Sequence, residues 1–387
     1  MTNNQQNTMA AAAVQSQPQL PSTTFEPSAQ DMSRKRKLGN AEFDPMVHLT
    51  YKSPTPVLMM EDIGYSKDTG VSPVAVSQPF QLFSPEAIQK FRDEVLNPEV
   101  TRNCLYESNL APAQIRGYAK KYAPFTMGAW RNPETLSIIS KIAGVDLTPA
   151  MDLEVSHVNL SVKSSKDAQA ELDTLEQKRK DSSVEDDKPI VGWHTDSYPF
   201  VCVTMLSDCT NMVGGETALR TGTGDVMRVR GPQMGCAVVL QGRYITHQAL
   251  RALGAQERIT MVTSFRPKDP QLADDTVLST VRGISDLSEL YREFGTYRLE
   301  MLEARIKTQV NKIKDNHAAG RKTDTKAVKA FLQQQIAFLE HMDSEMVPEE
   351  NVVMGELPEL NIPNEQTPPP EEEITREVKR AKLSSRC

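Results

Sequence analysis

Cys236-Ala237-Val238-Val239-Leu240-Gln241-Gly242-Arg243-Tyr244-Ile245-Thr246-His247 decides how the rest of the chain is read. It opens as a short apolar run, breaks at Gln241-Gly242, and resumes toward a histidine. A run of this length bounded by turn residues reads as a buried strand. The texture continues on both sides. From Pro189 to Pro267, strands are expected over Ile190–His194, Phe200–Leu206, Thr217–Thr221, Val226–Val229, Ala237–Leu240, Tyr244–His247 and Ile259–Phe265. Gly214-Gly215, Gly222, Gly224, Gly231-Pro232 and Gly242 punctuate them. Short strands separated by turn signals every ~8–12 residues predict a sandwich or barrel of jelly-roll type. Upstream, Asp152 to Val162 alternates, with Leu153, Val155 and His157 on one parity, which is strand period.

Helical patterns flank this core, so the fold class is α+β. Ser84-Pro85-Glu86 opens a helix with a Ser cap and Pro at its first position, and Ala87, Ile88, Phe91, Val95 and Leu96 follow at helical spacing. A second helix follows Asn132-Pro133-Glu134, carries Leu136, Ile139 and Ile142, and stops at Gly144. After the core, Leu287, Leu290, Tyr291, Phe294, Tyr297, Met301, Leu302, Ile306, Val310 and Ile313 keep a spacing of three or four. Val328, Phe331, Leu332, Gln335, Ile336 and Leu339 do the same. These last two helices are expected to pack on the barrel or to pair with a second copy of the chain. Residues 1–75 are rich in Gln, Ala, Ser, Pro and Thr and read as a disordered N-terminal segment. The organisation expected is therefore a domain over 76–283, with a β-core near 150–270 and a polar, loop-like insertion at 163–188. A helical segment over 284–345 and a disordered Pro- and Glu-rich tail over 346–387 complete it.

Composition narrows the function. Of 387 residues, 25% are charged and the net charge is −7, which provides no global field to recruit nucleic acid. No stretch of ~18 apolar residues predicts a membrane span. The N-terminus, Met1-Thr2-Asn3-Asn4-Gln5-Gln6, lacks the basic start and apolar core of a secretory signal. The five cysteines, Cys104, Cys202, Cys209, Cys236 and Cys387, show no CxxC spacing and suggest neither a zinc site nor a disulfide frame. An intracellular protein, cytoplasmic or nuclear, fits these facts. Arg34-Lys35-Arg36-Lys37 and Lys379-Arg380-Ala381-Lys382 read either as nuclear import signals or as solubilising charge.

The chemistry centres on His194-Thr195-Asp196 and His247. On a strand, residues two apart leave the same face, so His194 and Asp196 point together. His247 lies on another strand of the same expected barrel. Two imidazoles and a carboxylate hold a divalent metal on one face and leave the other open, as in non-haem iron(II) oxygenases. The bland reading is a strand-end cap at Asp196 and an unrelated histidine. Eleven residues after His247 comes Arg258, with Thr260 on its face. A guanidinium and a hydroxyl form a receptor for a carboxylate. Arg251 and Arg266 are alternatives for that role, and a surface ion pair of Arg258 with Glu257 or Asp225 is the plain reading.

His194-x-Asp196, His247 and Arg258-x-Thr260, with Gly214-Gly215-Glu216-Thr217 between them, resemble the iron(II)- and 2-oxoglutarate-dependent dioxygenases over about residues 150–270. The resemblance implies a double-stranded β-helix core, with His194, Asp196 and His247 as Fe(II) ligands and the catalytic centre. It implies that Arg258 and Thr260 anchor 2-oxoglutarate. It further implies O2 activation with loss of CO2, and a ferryl species that hydroxylates, desaturates or cyclises the substrate. A biosynthetic enzyme acting on a small, amino-acid-derived metabolite is the reading that follows. Trp193, Tyr198, Arg220, Gln241 and Tyr244 flank the ligands and are candidates for substrate contact, each also readable as core or rim. His157 lines the pocket or is a satisfied core histidine. Two other readings stand beside this one: a nuclear oxygenase acting on protein or nucleic acid, and a non-catalytic β-barrel scaffold assembling through the C-terminal helices.

Overall fold

A computed structural model describes residues 42–54, 56–108, 113–180, 189–210, 212–229 and 233–357. In chain order the early strands are β1 (Val57–Met59), β2 (Val74–Ser77), β3 (Phe80–Gln81), β4 (Leu105–Tyr106), β5 (Gln114–Ile115) and β6 (Leu147–Pro149). Next come β7 (His157–Val162), β8 (Pro189–His194), β9 (Phe200–Met205), β10 (Val213–Gly214), β11 (Thr217–Arg220) and β12 (Val226–Val229). The last are β13 (Cys236–Leu240), β14 (His247–Leu250), β15 (Ala252–Leu253) and β16 (Glu257–Pro267). A ten-stranded sheet runs β1-β2-β13-β9-β16-β7-β5-β4, with β3 on β13 and β6 on β16. A four-stranded sheet runs β12-β11-β14-β8, and β10 pairs with β15. The described pairings are antiparallel.

Strand parity sorts the side chains. Ala237 and Val239, Phe200 and Cys202, Ile259, Met261 and Phe265 point to one face of the large sheet. There they meet Phe91, Trp130 and Ile139 from the helices Pro85–Val95, Pro124–Arg131 and Pro133–Ala143. Phe91 and Trp130 are fully buried, so truncating either to alanine costs about 3–5 kcal/mol. The other parity, Val201, Val203, Val238, Leu240 and Val262, packs against Leu219, Met227 and Val229 of the small sheet. The molecule is thus helices on one face of a large antiparallel sheet and a second sheet on the other.

The helix ends follow their sequence signals. The Ser84 side chain accepts from Ala87 N–H at 3.2 Å, and the Asn132 side chain accepts from Glu134 N–H at 2.9 Å. Gly144 ends its helix at φ +70°, a conformation open to glycine without strain. The long helix Leu287–Ala318 buries Leu287, Leu290, Phe294, Tyr297 and Met301, together with Phe338 of the helix Thr325–Glu345, against Ala150, Met151 and Tyr198. Ile306, Val310, Leu332, Ile336 and Leu339 remain exposed.

Four expectations are corrected. Residues 42–75 are ordered rather than disordered: a short helix, Pro45–His48, and β1 precede β2, and Met60 and Ile63 are buried. Their order comes from β1 pairing with β2, which in turn pairs with the distant β13, and this leaves no local period. Residues 163–180 are not a loop, because Ser165–Lys180 is a helix. Ser164 caps it by accepting from Asp167 N–H, and Glu171 binds Lys163 at 2.8 Å and also Arg251. The Asp152–Val162 strand starts only at His157, because Asp152–Glu154 is a 3-10 turn that carries Glu154 to Arg116. The tail is ordered through Leu357, which is buried, with Gly355 N–H donating to Gly283 O at 2.7 Å. Both basic clusters, Cys387, and the N-terminal segment before residue 42 lie outside the described residues.

Candidate metal centre

The register places the two histidines side by side. His247 of β14 pairs with His194 of β8 on one side and with Leu219 of β11 on the other, and Leu219 pairs with Met227. Directly opposed residues share a face. Leu219 and Met227 belong to the inter-sheet core, so His194 and His247 also face the interior between the sheets. The strand expected over Tyr244–His247 is corrected in detail: His247 opens β14, and residues 241–246 form the turn before it. That turn serves the site. Gly242 O accepts from Asp196 N–H at 3.0 Å and ties the segment after β8 to the end of β13.

The three side chains converge. Asp196 Oδ1 stands 3.7 Å from His194 Nε2, and Asp196 Oδ2 stands 3.6 Å from His247 Nε2. One ligand atom from each lies within 4.8 Å of the others. Asp196 Oδ2 is buried with no hydrogen-bond partner among the described residues. Each imidazole is held by its far nitrogen: His194 Nδ1 lies 2.8 Å from Gly192 O, and His247 Nδ1 lies 2.9 Å from Ile245 O. A carbonyl only accepts, so each Nδ1 carries the proton and each Nε2 lone pair faces the partner ligands. Ligating histidines are oriented in this way in metal sites. Ligands at right angles around a metal at ~2.1 Å sit roughly 3 Å apart, so small side-chain movements close the set. The buried carboxylate oxygen without a partner and the two pinned imidazoles fit a divalent metal, and a two-histidine, one-carboxylate set suits Fe(II).

Desolvation, followed by the neighbouring His247, holds His194 down to about 4. Desolvation and nearby Arg116 hold His157 down to about 3. Between these values and the ordinary histidine range near 6.5, the unfolded chain binds more protons than the folded one. Stability therefore rises with pH across that window and is lost as pH falls through it. The metal-free protein is expected to lose several degrees of Tm between pH 7 and pH 4.5. Calorimetry at matched ionic strength checks this, and a flat Tm across the window would refute the neutral, desolvated histidines.

Across the interior, β16 presents Arg258 and Thr260. They share parity with Val262, which packs in the inter-sheet core. Thr260 is buried, and Arg258 Nε is buried with no hydrogen-bond partner among the described residues. Burial lowers the Arg258 pKa. Neither expected ion pair claims it, since Glu257 is bound by Arg92 at 2.5 Å and Asp225 is engaged by Thr223 at 2.8 Å. The alternatives are occupied too: Arg251 binds Glu171, and Arg266 stacks over the Tyr297 ring at 4.5 Å.

The flanking candidates divide. Arg220 lies over the Trp193 ring at 4.8 Å, so these two form one unit beside the ligands. Tyr198 is buried and donates to Glu154 at 2.6 Å, while Tyr244 donates to Asp275 at 2.9 Å. Gln241 is a structural staple: its side chain accepts from Val71 N–H and donates to Ser72 O and Val74 O. Sequence reading missed Arg116, which binds Glu154 and donates to Ser285 at 2.9 Å, and the polar side chains of Tyr106, Gln114 and Asn159. Asn159 shares the parity of His157 and was detectable on that ground. The two-residue strands β4 and β5 carry no periodic signal.

No family model matches the chain, and no curated protein sequence matches it. Solved structures similar to it include an oxidoreductase of the 2OG-Fe(II) oxygenase family from Burkholderia pseudomallei, at 14% identity and TM-score 0.27, covering 42% of this chain and 65% of that one. The chain thus spans just under two thirds of that protein. A prolyl-4-hydroxylase from Pseudomonas putida is similar at 14% identity and TM-score 0.31, covering 48% and 88%. The non-haem alpha-ketoglutarate-dependent carbocyclase SnoK from nogalamycin biosynthesis is similar at 11% identity and TM-score 0.34, covering 56% and 88%. At identities and scores this low, the chemistry has to be carried by the site's own atoms.

Proposed function

We propose that this chain is an iron(II)- and 2-oxoglutarate-dependent dioxygenase that oxidises a small molecule, with a double-stranded β-helix as its core. The observation that carries the reading is the His194–Asp196–His247 convergence on the interior face that also bears a half-buried Arg258, whose Nε has no partner among the described residues. The sheet orders β13-β9-β16-β7 and β12-β11-β14-β8 support the β-helix, because the chain passes back and forth between two sheets apart from the β11–β12 hairpin.

In this reading His194 and His247 bind the metal through Nε2 and Asp196 through a carboxylate oxygen. The bound iron, together with 2-oxoglutarate, supplies activation of O2 for substrate oxidation. The protein's part is positioning. Arg258 offers a bidentate donor pair and Thr260 a hydroxyl to the remote carboxylate of the keto acid. Partial burial of that guanidinium strengthens its grip on an anion, since water screens the pair less than at the surface. The apolar inter-sheet packing of Val203, Val262 and Leu219 excludes water from one side of the site.

Two measurements test this. Purified protein with Fe(II) and ascorbate should convert 2-oxoglutarate slowly to succinate without added substrate, and absence of succinate would sink the assignment. Arg258→Gln should raise the KM for 2-oxoglutarate by about a hundredfold, with Arg258→Lys intermediate because a single ammonium cannot bind bidentately. An unchanged KM in Arg258→Gln would move the anchor elsewhere.

A further inference from the structure

The interior face of the large sheet has two characters. Over β2, β13 and β9 it is apolar and covered, with Val76, Val201, Val203, Val238 and Leu240 in the inter-sheet core. Beyond β16 it turns polar. The register sets Thr260, Asn159, Gln114 and Tyr106 in one row across β16, β7, β5 and β4. His157 lies two residues from Asn159 and shares its face. The intervening Val158 and Ile115 point the other way, into the helix-covered core. The polar row therefore continues the face that bears Arg258 and Thr260.

Hydrogen bonds fix the direction of each group. Ser108 Oγ donates to Gln114 Oε1 at 2.9 Å, and Gln114 Nε2 donates to Asn159 Oδ1 at 2.8 Å. The same Nε2 lies 3.3 Å from His157 Nε2, and the Tyr106 hydroxyl lies 2.9 Å from it. An amide nitrogen can only donate, so His157 Nε2 accepts, Tyr106 donates to it, and the imidazole proton sits on Nδ1. Asn159 has its oxygen engaged and its Nδ2 free to donate. Neither His157 Nδ1 nor Asn159 Nδ2 has an acceptor among the described residues. The two donors stand at next-but-one positions of a strand, roughly 7 Å apart.

These donors are uncharged. His157 is kept neutral by desolvation and by Arg116. The nearby charges, Arg116 and Glu154, bind each other, and Tyr198 completes Glu154. Each of these neutral N–H donors matches one neutral carbonyl oxygen, which loses little on leaving water. The cation on this face, Arg258, stands one strand away opposite Ser161 and is the one assigned to the keto acid, so a second carboxylate would find no further counter-charge.

We infer that His157 and Asn159 form a substrate-recognition edge that donates to carbonyl oxygens of a neutral amide- or lactam-bearing substrate, one oxygen to each donor, and orients it toward the metal centre. This rests on the oxygenase reading. The probes are paired: small lactams and N-acyl amides against the corresponding free carboxylic acids and amines. Two readouts are used, ligand-observed NMR on metal-free protein and stimulation of 2-oxoglutarate consumption on Fe(II)-loaded protein. With 2-oxoglutarate present at saturation to occupy Arg258, amide and lactam probes should bind and stimulate, and the acids should not. His157→Phe and Asn159→Asp should each weaken amide binding by about tenfold, while His157→Gln, which keeps a donor, restores part of it. Co(II) binding at His194, Asp196 and His247 serves as the check that each variant keeps its fold. Preference for the acids, no binding by any carbonyl probe, or unchanged affinity in both variants overturns the recognition edge. Absence of substrate-free 2-oxoglutarate consumption in the wild-type protein would instead overturn the oxygenase reading.

Discussion

His194→Ala and Asp196→Ala proteins are expected to fold normally, to bind Co(II) or Fe(II) at least about a hundredfold more weakly, and to consume no 2-oxoglutarate above buffer. The expectation rests on how little the metal-free fold depends on these side chains. Asp196 Oδ2 has no hydrogen bond to lose among the described residues, and its backbone N–H bond to Gly242 survives the substitution. Among the described residues, His194's side chain hydrogen-bonds only its own strand's Gly192 carbonyl, through Nδ1. Removing either group therefore leaves the sheets as they are, and removing Asp196 relieves a desolvated carboxylate. The loss should appear in linkage. A metal at a hundredfold its Kd stabilises the wild-type protein by about 2.7 kcal/mol, and that rise in Tm should vanish in both variants. A variant that kept the metal-induced rise, or wild-type turnover, would exclude this triad as the centre. His247→Ala should behave alike in metal binding, but it also empties a buried position beside Leu219 and should cost some stability.

How much of this was legible depends on the range of the interaction. The small-sheet strands were legible because Thr217–Arg220 and Val226–Val229 are bounded by glycines, and Val226–Val229 buries one parity. The helix at Pro85 was legible because Ser84 and Pro85 are local signals. His194 and Asp196 were legible as a close pair from their spacing, but not for the expected reason: β8 ends at His194, and Asp196 is aimed by its backbone bond to Gly242 rather than by strand period. What failed was non-local. Met60 and Ile63 are core residues in a segment whose composition reads as disordered, and they are held there by β1–β2 pairing and by Gln241. The helix Ser165–Lys180 was missed because its apolar content is low. Its start is set by the Ser164 and Asp167 exchange and its attachment by Lys163, Arg251 and Glu171. Tyr106, Gln114 and Asn159 become a row only through register across three strands, and no single-strand pattern encodes that register. Gln241 misled for the reverse reason: it adjoins the site in sequence, yet its amide is spent on backbone groups.

Gly242→Ala is expected to abolish metal binding as thoroughly as loss of a ligand, although Gly242 offers no ligand atom. A Cβ built at Gly242 would lie 1.8 Å from Asp196 Oδ2, 2.8 Å from its Cγ and 3.2 Å from its Cβ. The clash is with the whole carboxylate, so rotation of one oxygen cannot relieve it. The backbone cannot retreat either, because Gly242 O accepts from Asp196 N–H at 3.0 Å and Gln241 N–H donates to Ala75 O at 2.8 Å. The requirement for glycine here is close approach, not an unusual φ. The inexpensive escape is for Asp196 to turn its carboxylate away, which leaves His194 and His247 alone. Two imidazoles without the carboxylate hold iron far more weakly. Gly242→Ala should therefore show near-native circular dichroism, a modest fall in metal-free Tm, no metal-induced rise and no succinate. Gly242→Ala combined with Asp196→Gly removes the clash and should recover the metal-free Tm but not the metal. If Gly242→Ala instead binds Co(II) normally, Asp196 does not lie where the structure puts it, and the centre would have to be rebuilt around the two histidines with another acid.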